Sequence, residues 1–275
     1  MKIYDTDVER VTTRYGRLYV VRDDSVIGRS LKIYGEWAEN EISSYAAFLT
    51  DGDSIIDVGA NIGTHSIALA SRFPHSEIVA FEPQPLAFSL LAANVLAARA
   101  SNVYPRNLGC AEAERLVHVA PNYAAIDWNV GGFSLREAEE GQSGTVPLPL
   151  VPLDEIAFKR RVQFIKIDVE GMEGEVLAGA PKLISRDRPL IYFELLQIER
   201  LAPIREQLMG QGYELRWLQA DAFNPHNFRM NPDNIWRFGE TGVLAFPKVE
   251  DPDAAQLPLV TGHETEVPVR EYPGS

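Results

Sequence analysis

Apolar and polar positions alternate over residues 17–21 and again, more loosely, over 31–34, with the turn-prone Asp23, Asp24 and Ser25 between them. Two short strands are therefore expected near the start. Over residues 38–49 the spacing lengthens: Ile42, Tyr45, Ala46 and Leu49 recur at three- and four-residue steps, the period of a helix with one buried face. The region up to residue 50 reads as a small β/α appendage.

From residue 54 an α/β rhythm sets in. Strands are expected at 54–58, 77–81, around Val103, at 162–167 and at 189–193, with helices at 62–71, 86–99, 172–183 and 203–210. The strands are short continuous apolar runs rather than alternating ones, as befits strands covered on both faces. Two further strands, 213–218 and 242–246, have no helical pattern between them and are expected to pair antiparallel at the end of the sheet. Residues 120–145 break the rhythm with a Gly- and Asn-rich stretch, PNYAAIDWNVGGFSL followed by EEGQSG, read as an insertion. From Lys248 the acidic, Pro-rich end reads as a flexible tail. The expected architecture is α/β: an appendage over 1–50, a main domain over 51–247 and a tail over 248–275. In such a parallel sheet ligands bind beyond the carboxyl ends of the strands.

Charge narrows the class of partner. A formal charge of −13 argues against a nucleic-acid binder, which needs clustered Lys and Arg for the phosphates, so a small molecule is expected. MKIYDTDVER carries no basic-then-apolar leader, and no stretch approaches the roughly 20 apolar residues of a membrane span. The single Cys110 has no partner for an internal disulfide. These features lead to the expectation of a cytoplasmic protein with no membrane contact; oligomeric state is not encoded in any readable pattern.

The first strand ends in DVGANIGTHS, where Gly59 and Gly63 bracket Ala60, Asn61 and Ile62. A tight strand-to-helix turn needs residues that accept left-handed backbone, and Asn61 is among the few non-glycine residues that do. The bland alternative is a turn that only packs a helix on a strand. Glu82 ends the next strand in FEPQP, where an acid can accept both ribose hydroxyl protons, and Pro83 follows it. An NAD-dependent oxidoreductase would also pair a glycine turn with a distant acid, but its G-x-G-x-x-G lacks a third glycine here. Asp57, two residues before Gly59, is placed to meet the ammonium of a bound amino acid. S-adenosylmethionine joins an amino-acid end to a nucleoside end and explains Asp57 and Glu82 together. A noncatalytic nucleotide-binding module is the third reading.

DVGANIGTHS, FEPQP, the step Leu153-Asp154-Glu155, KIDVEGMEGEVLAGA and RPLIYFE resemble, in order and spacing, the FkbM-type S-adenosylmethionine-dependent methyltransferases, over about residues 35–247. The resemblance implies a class I, Rossmann-like methyltransferase fold: a seven-stranded, mostly parallel sheet whose last strand is antiparallel. It also implies O-methylation of a hydroxyl on a small molecule or glycan. Asp57, Gly59, Asn61 and Gly63, with Ala60, would line the methionine end, while Glu82 and Pro83 would hold the ribose. Glu36, in YGEWAENE, would cover the cofactor, or else merely start a helix. Asn107 would lie near the adenine.

Methyl transfer from a sulfonium disperses charge, so most of the rate is expected from placing the acceptor against the methyl. A hydroxyl still needs a base or a metal to take its proton. Asp168, at the carboxyl end of its strand, is the leading candidate, with a role against both acceptor and cofactor; helix capping is its alternative. Glu170 on the following turn and Glu194 at the end of the next strand are the other catalytic candidates. Glu173 and Glu175 fall in a first helical turn and are expected to serve the helix dipole. Asp168 with Glu170 or Glu194 offers hard oxygen ligands for a divalent ion, but no tight D-x-D or H-x-E cluster is present, so no metal is assigned. Metal-dependent O-methylation and N-methylation remain as alternatives. His65 is read as packing or capping its helix. The loops NVGGFS and NPHNF, the latter carrying His226, would orient a polyol acceptor.

Overall fold

A computed structural model describes residues 2–3, 6–119, 146–247 and 253–268. The expected insertion at 120–145, including NVGGFS, therefore lies wholly outside the described residues. At the amino end, β1 (Lys2–Ile3) and the hairpin of β2 (Thr6–Thr13) and β3 (Gly16–Val21) form a three-stranded antiparallel sheet. The strand expected at 31–34 is instead part of a helix, α1 (Ile27–Ile33). Its buried residues Ile27 and Leu31 stand four apart and pack with Val8, Val20 and Val21 of the hairpin, so the helical period wins over the short apolar run. The hairpin is not a separate body. Its core includes Ile62, Leu86 and Leu90, and Asn94 receives the Tyr19 N–H at 2.5 Å and donates to the Tyr19 carbonyl at 3.0 Å.

After α2 (Glu39–Ala46) come β4 (Ser54–Val58), α3 (Thr64–Arg72), β5 (Glu77–Phe81), α4 (Pro85–Ala98) and β6 (Val103–Arg106). Three short strands that the residue pattern did not disclose, β7 (Gly109–Cys110), β8 (Arg115–Val119) and β9 (Val146–Val151), pair in a small second sheet. The chain returns through β10 (Val162–Ile167), α5 (Glu173–Ala178), α6 (Pro181–Asp187), β11 (Leu190–Glu194), α7 (Leu201–Gly210), β12 (Tyr213–Asp221) and β13 (Gly239–Pro247). The single helix expected over 172–183 is two, because Pro181 cannot donate the amide that continuation would require and starts a new helix instead.

The main sheet has seven strands in the order β12-β13-β11-β10-β4-β5-β6. β13 is antiparallel to both neighbours, and the pairs from β11 to β6 are parallel, which is the class I methyltransferase arrangement. Every residue of β4 and of β10 is buried, as a central strand covered on both faces requires. One face carries Ile56, Val58, Ile165 and Ile167 against Val176, Leu183, Ile184 and Ile204; the other carries Ile55, Phe164 and Tyr192 against Ile42, Tyr45 and Ile67. The chain runs outward from β4 to β6 on one side and from β10 to β11 on the other. The crevice beyond the carboxyl ends of β4 and β10 is thus the topological switch point.

The carboxyl tail differs from its expectation. Residues 253–268 return to the sheet edge, where Trp217 donates its amide to the Pro258 carbonyl at 2.8 Å and Val260 donates to that of Leu215 at 2.9 Å. Ala254 and Val260 are buried there, so apolar side chains within an acidic segment anchor it. Among the described residues no helix is long and apolar enough to cross a membrane.

Candidate active site

The turn after β4 has left-handed backbone at Gly59 (φ 81°), Asn61 (φ 51°) and Gly63 (φ 91°), as its sequence led one to expect. The amides of Gly59 and Ala60 both donate to the Phe81 carbonyl at 3.0 Å, which docks the turn on the end of β5. The Asn61 amide then reaches Glu82 Oε2 at 2.9 Å, and the Gln84 amide reaches Oε1 at 2.8 Å. Each Glu82 oxygen is held by one backbone N–H and keeps acceptor capacity to spare. Burial pushes the Glu82 carboxyl up to about 7, although those two hydrogen bonds pull the other way.

A pocket opens along the strand ends. At one end it is lined by Gly59, Asn61, Glu82, Pro83 and Gln84, in the middle by Asp168, Val169 and Glu170, and at the far end by Glu41, His65, Tyr192, Glu194 and Glu240. Trp37, Ala38 and Phe238 complete the far wall. The strands that carry Glu82, Gly59, Asp168, Glu194 and Glu240 are consecutive in the sheet, so at about 4.8 Å per strand the pocket extends over roughly 19 Å. That is room for a nucleoside, an amino-acid chain and a further small molecule laid end to end.

Beneath its centre lies Lys166, 2% exposed, whose ammonium is 3.1 Å from Asp168 Oδ2 and 3.3 Å from Asp57 Oδ1. Burial works against its charge, but Asp168, Asp57 and Glu41 outweigh burial and hold it protonated far above the usual lysine range. Asp168 in turn stays below the usual carboxylate range: burial works to raise it, and the Lys166 charge and a hydrogen bond from Glu194 prevail. Glu194 is pushed well up by burial and by the Asp168 and Glu240 charges, so it carries the proton that it donates to Asp168. Glu240 rises to about 6 through burial and Asp168, and Glu41 to about 8 through burial and Glu240. His65 is held neutral by burial and the Lys166 charge, and its Nδ1 shares a 2.9 Å hydrogen bond with the Tyr45 hydroxyl.

Glu170 stands apart from these. It has a left-handed backbone (φ 51°), as does Gly171 (φ 98°), and the turn is braced by Arg200, which donates to the Gly171 carbonyl, and by Glu173, which receives the Gly171 amide at 2.8 Å. A side-chain-bearing residue in this region is strained, and such strain persists where the surroundings enforce it. Here it turns Glu170 onto the pocket wall. Burial, then Asp168, pushes its carboxyl up to about 7. Oxygens of Asp168, Glu170 and Glu194 lie within 4.8 Å of one another.

Several residues singled out from the sequence are placed elsewhere. Asp57 does not line the pocket; it is fully buried below the turn, taking the Ser66 hydroxyl at 2.6 Å and the Lys166 ion pair, because its strand position points it into the α2–α3 face. Ala60 and Gly63 are also absent from the wall: Ala60 is buried, and a Cβ on Gly63 would strike Leu91 of α4. Asn107 braces the turn from behind, donating to the Glu82 and Pro83 carbonyls at 2.9 Å each. Glu36 is buried away from the pocket and fully engaged by Arg14 at 2.6 Å, Asn224 at 2.7 Å and the Phe228 amide at 2.8 Å. His226 is exposed and off the wall. Glu173 and Glu175 sit in the first turn of α5, the latter paired with Arg115 at 2.5 Å.

Others went unnoticed in the sequence: Lys166, Glu41, Gln84, Tyr192, Glu240, Trp37 and Phe238. Lys166 left a signal, a charge inside the otherwise apolar run VQFIKI, which a fully buried strand tolerates only with partners. Glu41 and Glu240 left none, since each looks like an exposed acid at the start of an element.

The sequence matches the Methyltransferase FkbM domain over residues 57–227, more than half of the chain. A hexuronic acid methyltransferase, AglP, of Haloferax volcanii is 28% identical over 173 residues, covering 60% of this chain and 64% of that protein. Methyltransferase 1 of Beauveria bassiana is 26% identical over 147 residues, covering 47% and 59%. The match thus spans less than two thirds of either relative. Among solved structures, the methyltransferase FkbM of Methylobacillus flagellatus KT is 18% identical, with a TM-score of 0.46 over 73% of this chain and 46% of that one.

Proposed function

The chain belongs to the FkbM methyltransferase family, and on that premise we propose that it moves a methyl group from S-adenosylmethionine to a hydroxyl oxygen of a sugar-like small molecule. The fit of the cofactor rests on polar atoms at the β5 end. Glu82 is pre-set by two backbone N–H donors to accept ribose hydroxyls, and the Asn61 Oδ1 and Gln84 Oε1 atoms beside it are buried with no hydrogen-bond partner of their own. A nucleoside supplies the missing donors. The cofactor, when bound, presents a methyl group on a positively charged sulfur and leaves as the neutral thioether.

Glu170 is the base in this reading. With the cofactor bound to supply the methyl to the acceptor oxygen, Glu170 would take up the proton of that hydroxyl. A carboxyl near 7 is half-ionised at neutral pH, which suits a general base. Asp168, kept ionised by Lys166, orients the acceptor hydroxyl or the cofactor's ammonium, while protonated Glu194 fixes the Asp168 carboxylate in place. The observation that carries the reading is the single pocket running from Glu82 to Glu240 across the switch point, with Glu170 held on its wall by its own backbone.

Titration calorimetry with S-adenosylmethionine, S-adenosylhomocysteine and NAD tests it. Binding of the first two and not of NAD is expected; preferential binding of NAD would return the oxidoreductase alternative. A second reading, metal-assisted O-methylation, is favoured by the approach of the Asp168, Glu170 and Glu194 oxygens, which suits a hard divalent ion. Turnover that survives a chelator removes it.

A further inference from the structure

The far end of the pocket differs chemically from the end that takes the nucleoside. Gln84 is 7% exposed and its Oε1 is unpartnered, which together with Glu82 assigns the β5 end to the nucleoside and leaves the β13 end for the acceptor. Two walls meet there. One is acidic: Glu41, Glu170, Glu194 and Glu240 line it, and among the described lining residues there is no Lys or Arg. The other is aromatic: Trp37 and Phe238 line the pocket, and Trp236 backs both, with ring centroids 6.3 Å from Trp37 and 5.4 Å from Phe238.

Resting on the methyltransferase reading, we propose that the acceptor is a ring-shaped polyol bearing an ammonium group, of the amino-sugar or aminocyclitol class, and that carboxylate-bearing sugars are excluded. Ring C–H faces and cations both favour the negative face of an aromatic side chain, and a cation relieves the mutual repulsion of the carboxylates opposite. A carboxylate placed among them would meet the charges of Asp168 and Glu240 in a partly desolvated site, the usual means of rejecting a wrong ligand. The raised Glu41, Glu170 and Glu240 carboxyls have the same origin, burial together with neighbouring acids. An ammonium seated there lowers them and expels protons. The relative from Haloferax volcanii carries hexuronic acid in its name, so the two chains would part at this wall.

The test uses the full chain saturated with S-adenosylhomocysteine and three matched probes: the methyl glycosides of glucosamine, glucose and glucuronic acid. Saturation of the thioether site, measured first, separates failure of the methyltransferase reading from failure of this one. The expected order is glucosaminide over glucoside over glucuronide, with at least about a tenfold gap between first and last. Proton release should accompany glucosaminide binding, seen as heat that varies with buffer ionisation. Glu240→Lys should narrow or invert that gap while leaving thioether binding intact, and Trp37→Ala should weaken glucosaminide and glucoside alike. Glucuronide binding as tight as glucosaminide, or no detectable glucosaminide binding, overturns the proposal. So does loss of glucosaminide preference on adding magnesium chloride, which would give the acids to a metal.

Discussion

The α-carbon of Gly59 packs directly on the carbonyl of Asp168, so that any Cβ at position 59 would fall onto that oxygen. The two strand ends at the switch point therefore touch backbone to backbone. Gly59 also has φ 81°, where L side chains are strained. Gly59→Ala is expected to cost more than about 2 kcal/mol of stability and to weaken S-adenosylhomocysteine binding by shifting the Asp168 turn. Urea unfolding alongside calorimetry checks both. Unchanged stability with binding lost would return the role to direct cofactor contact.

Lys166 is the positive charge among Asp57, Asp168 and Glu41. Lys166→Met leaves Asp57, fully buried, with no counter-charge, and breaking such a pair from one side costs about 3–5 kcal/mol. The double variant Lys166→Met, Asp57→Asn should recover a large part of that loss. A double-mutant cycle by urea denaturation measures the coupling, and a recovery near zero would refute it.

Stability should fall as pH rises from mildly acidic to mildly basic. The Glu240, Glu170 and Glu41 carboxyls sit at about 6, 7 and 8 in the fold against an ordinary 4.5, so the folded state holds more protons than the unfolded one. Their contribution is complete below about pH 4.5 and is lost progressively as pH climbs through 6 to 8, a drop on the order of several kcal/mol. Glu41→Gln should flatten the basic part of the curve. Thermal unfolding across pH 5.5 to 8.5 without ligand decides it.

Glu170→Gln should bind S-adenosylhomocysteine normally and lose about 10²–10⁴ in kcat, the usual range for a general base. In the wild type, kcat should rise with pH through a limb near 7 that the variant lacks. Asp168→Asn should also lower turnover, and a change of less than about twofold in either variant would remove that residue from the chemistry.

Removing residues 253–275 uncovers the edge of β12 that Pro258 and Val260 now cover. An exposed edge strand invites pairing between chains. The truncated protein should lose about 1–3 kcal/mol of stability and self-associate on size exclusion, where the full chain runs as a smaller species.

The sheet and its switch point were legible because buried strands write themselves as short apolar runs; β10 was read to the residue. The left-handed turn was legible from DVGANIG, since few residues tolerate that backbone. Helix α1 was misread because seven residues give period analysis too little to work on. The acceptor end was hidden for a different reason. Glu41 of α2, Tyr192 and Glu194 of β11 and Glu240 of β13 come from three elements distant in sequence, and only the fold brings them to one wall. Asp57 shows the converse: position near a motif gave it a ligand, whereas the alternation along β4 turned it inward to Lys166.

Glu36 reaches Arg14 beside the amino-terminal hairpin, Asn224 and the Phe228 amide through one carboxylate. The loop it grips continues to Trp236 and Phe238 of the aromatic wall. The hairpin turn and that loop are thus locked together through one buried carboxylate. Grafting acceptor preference between relatives should succeed when residues 10–40 and 222–240 travel together and fail when either goes alone, which makes the amino-terminal segment a tuning handle for selectivity.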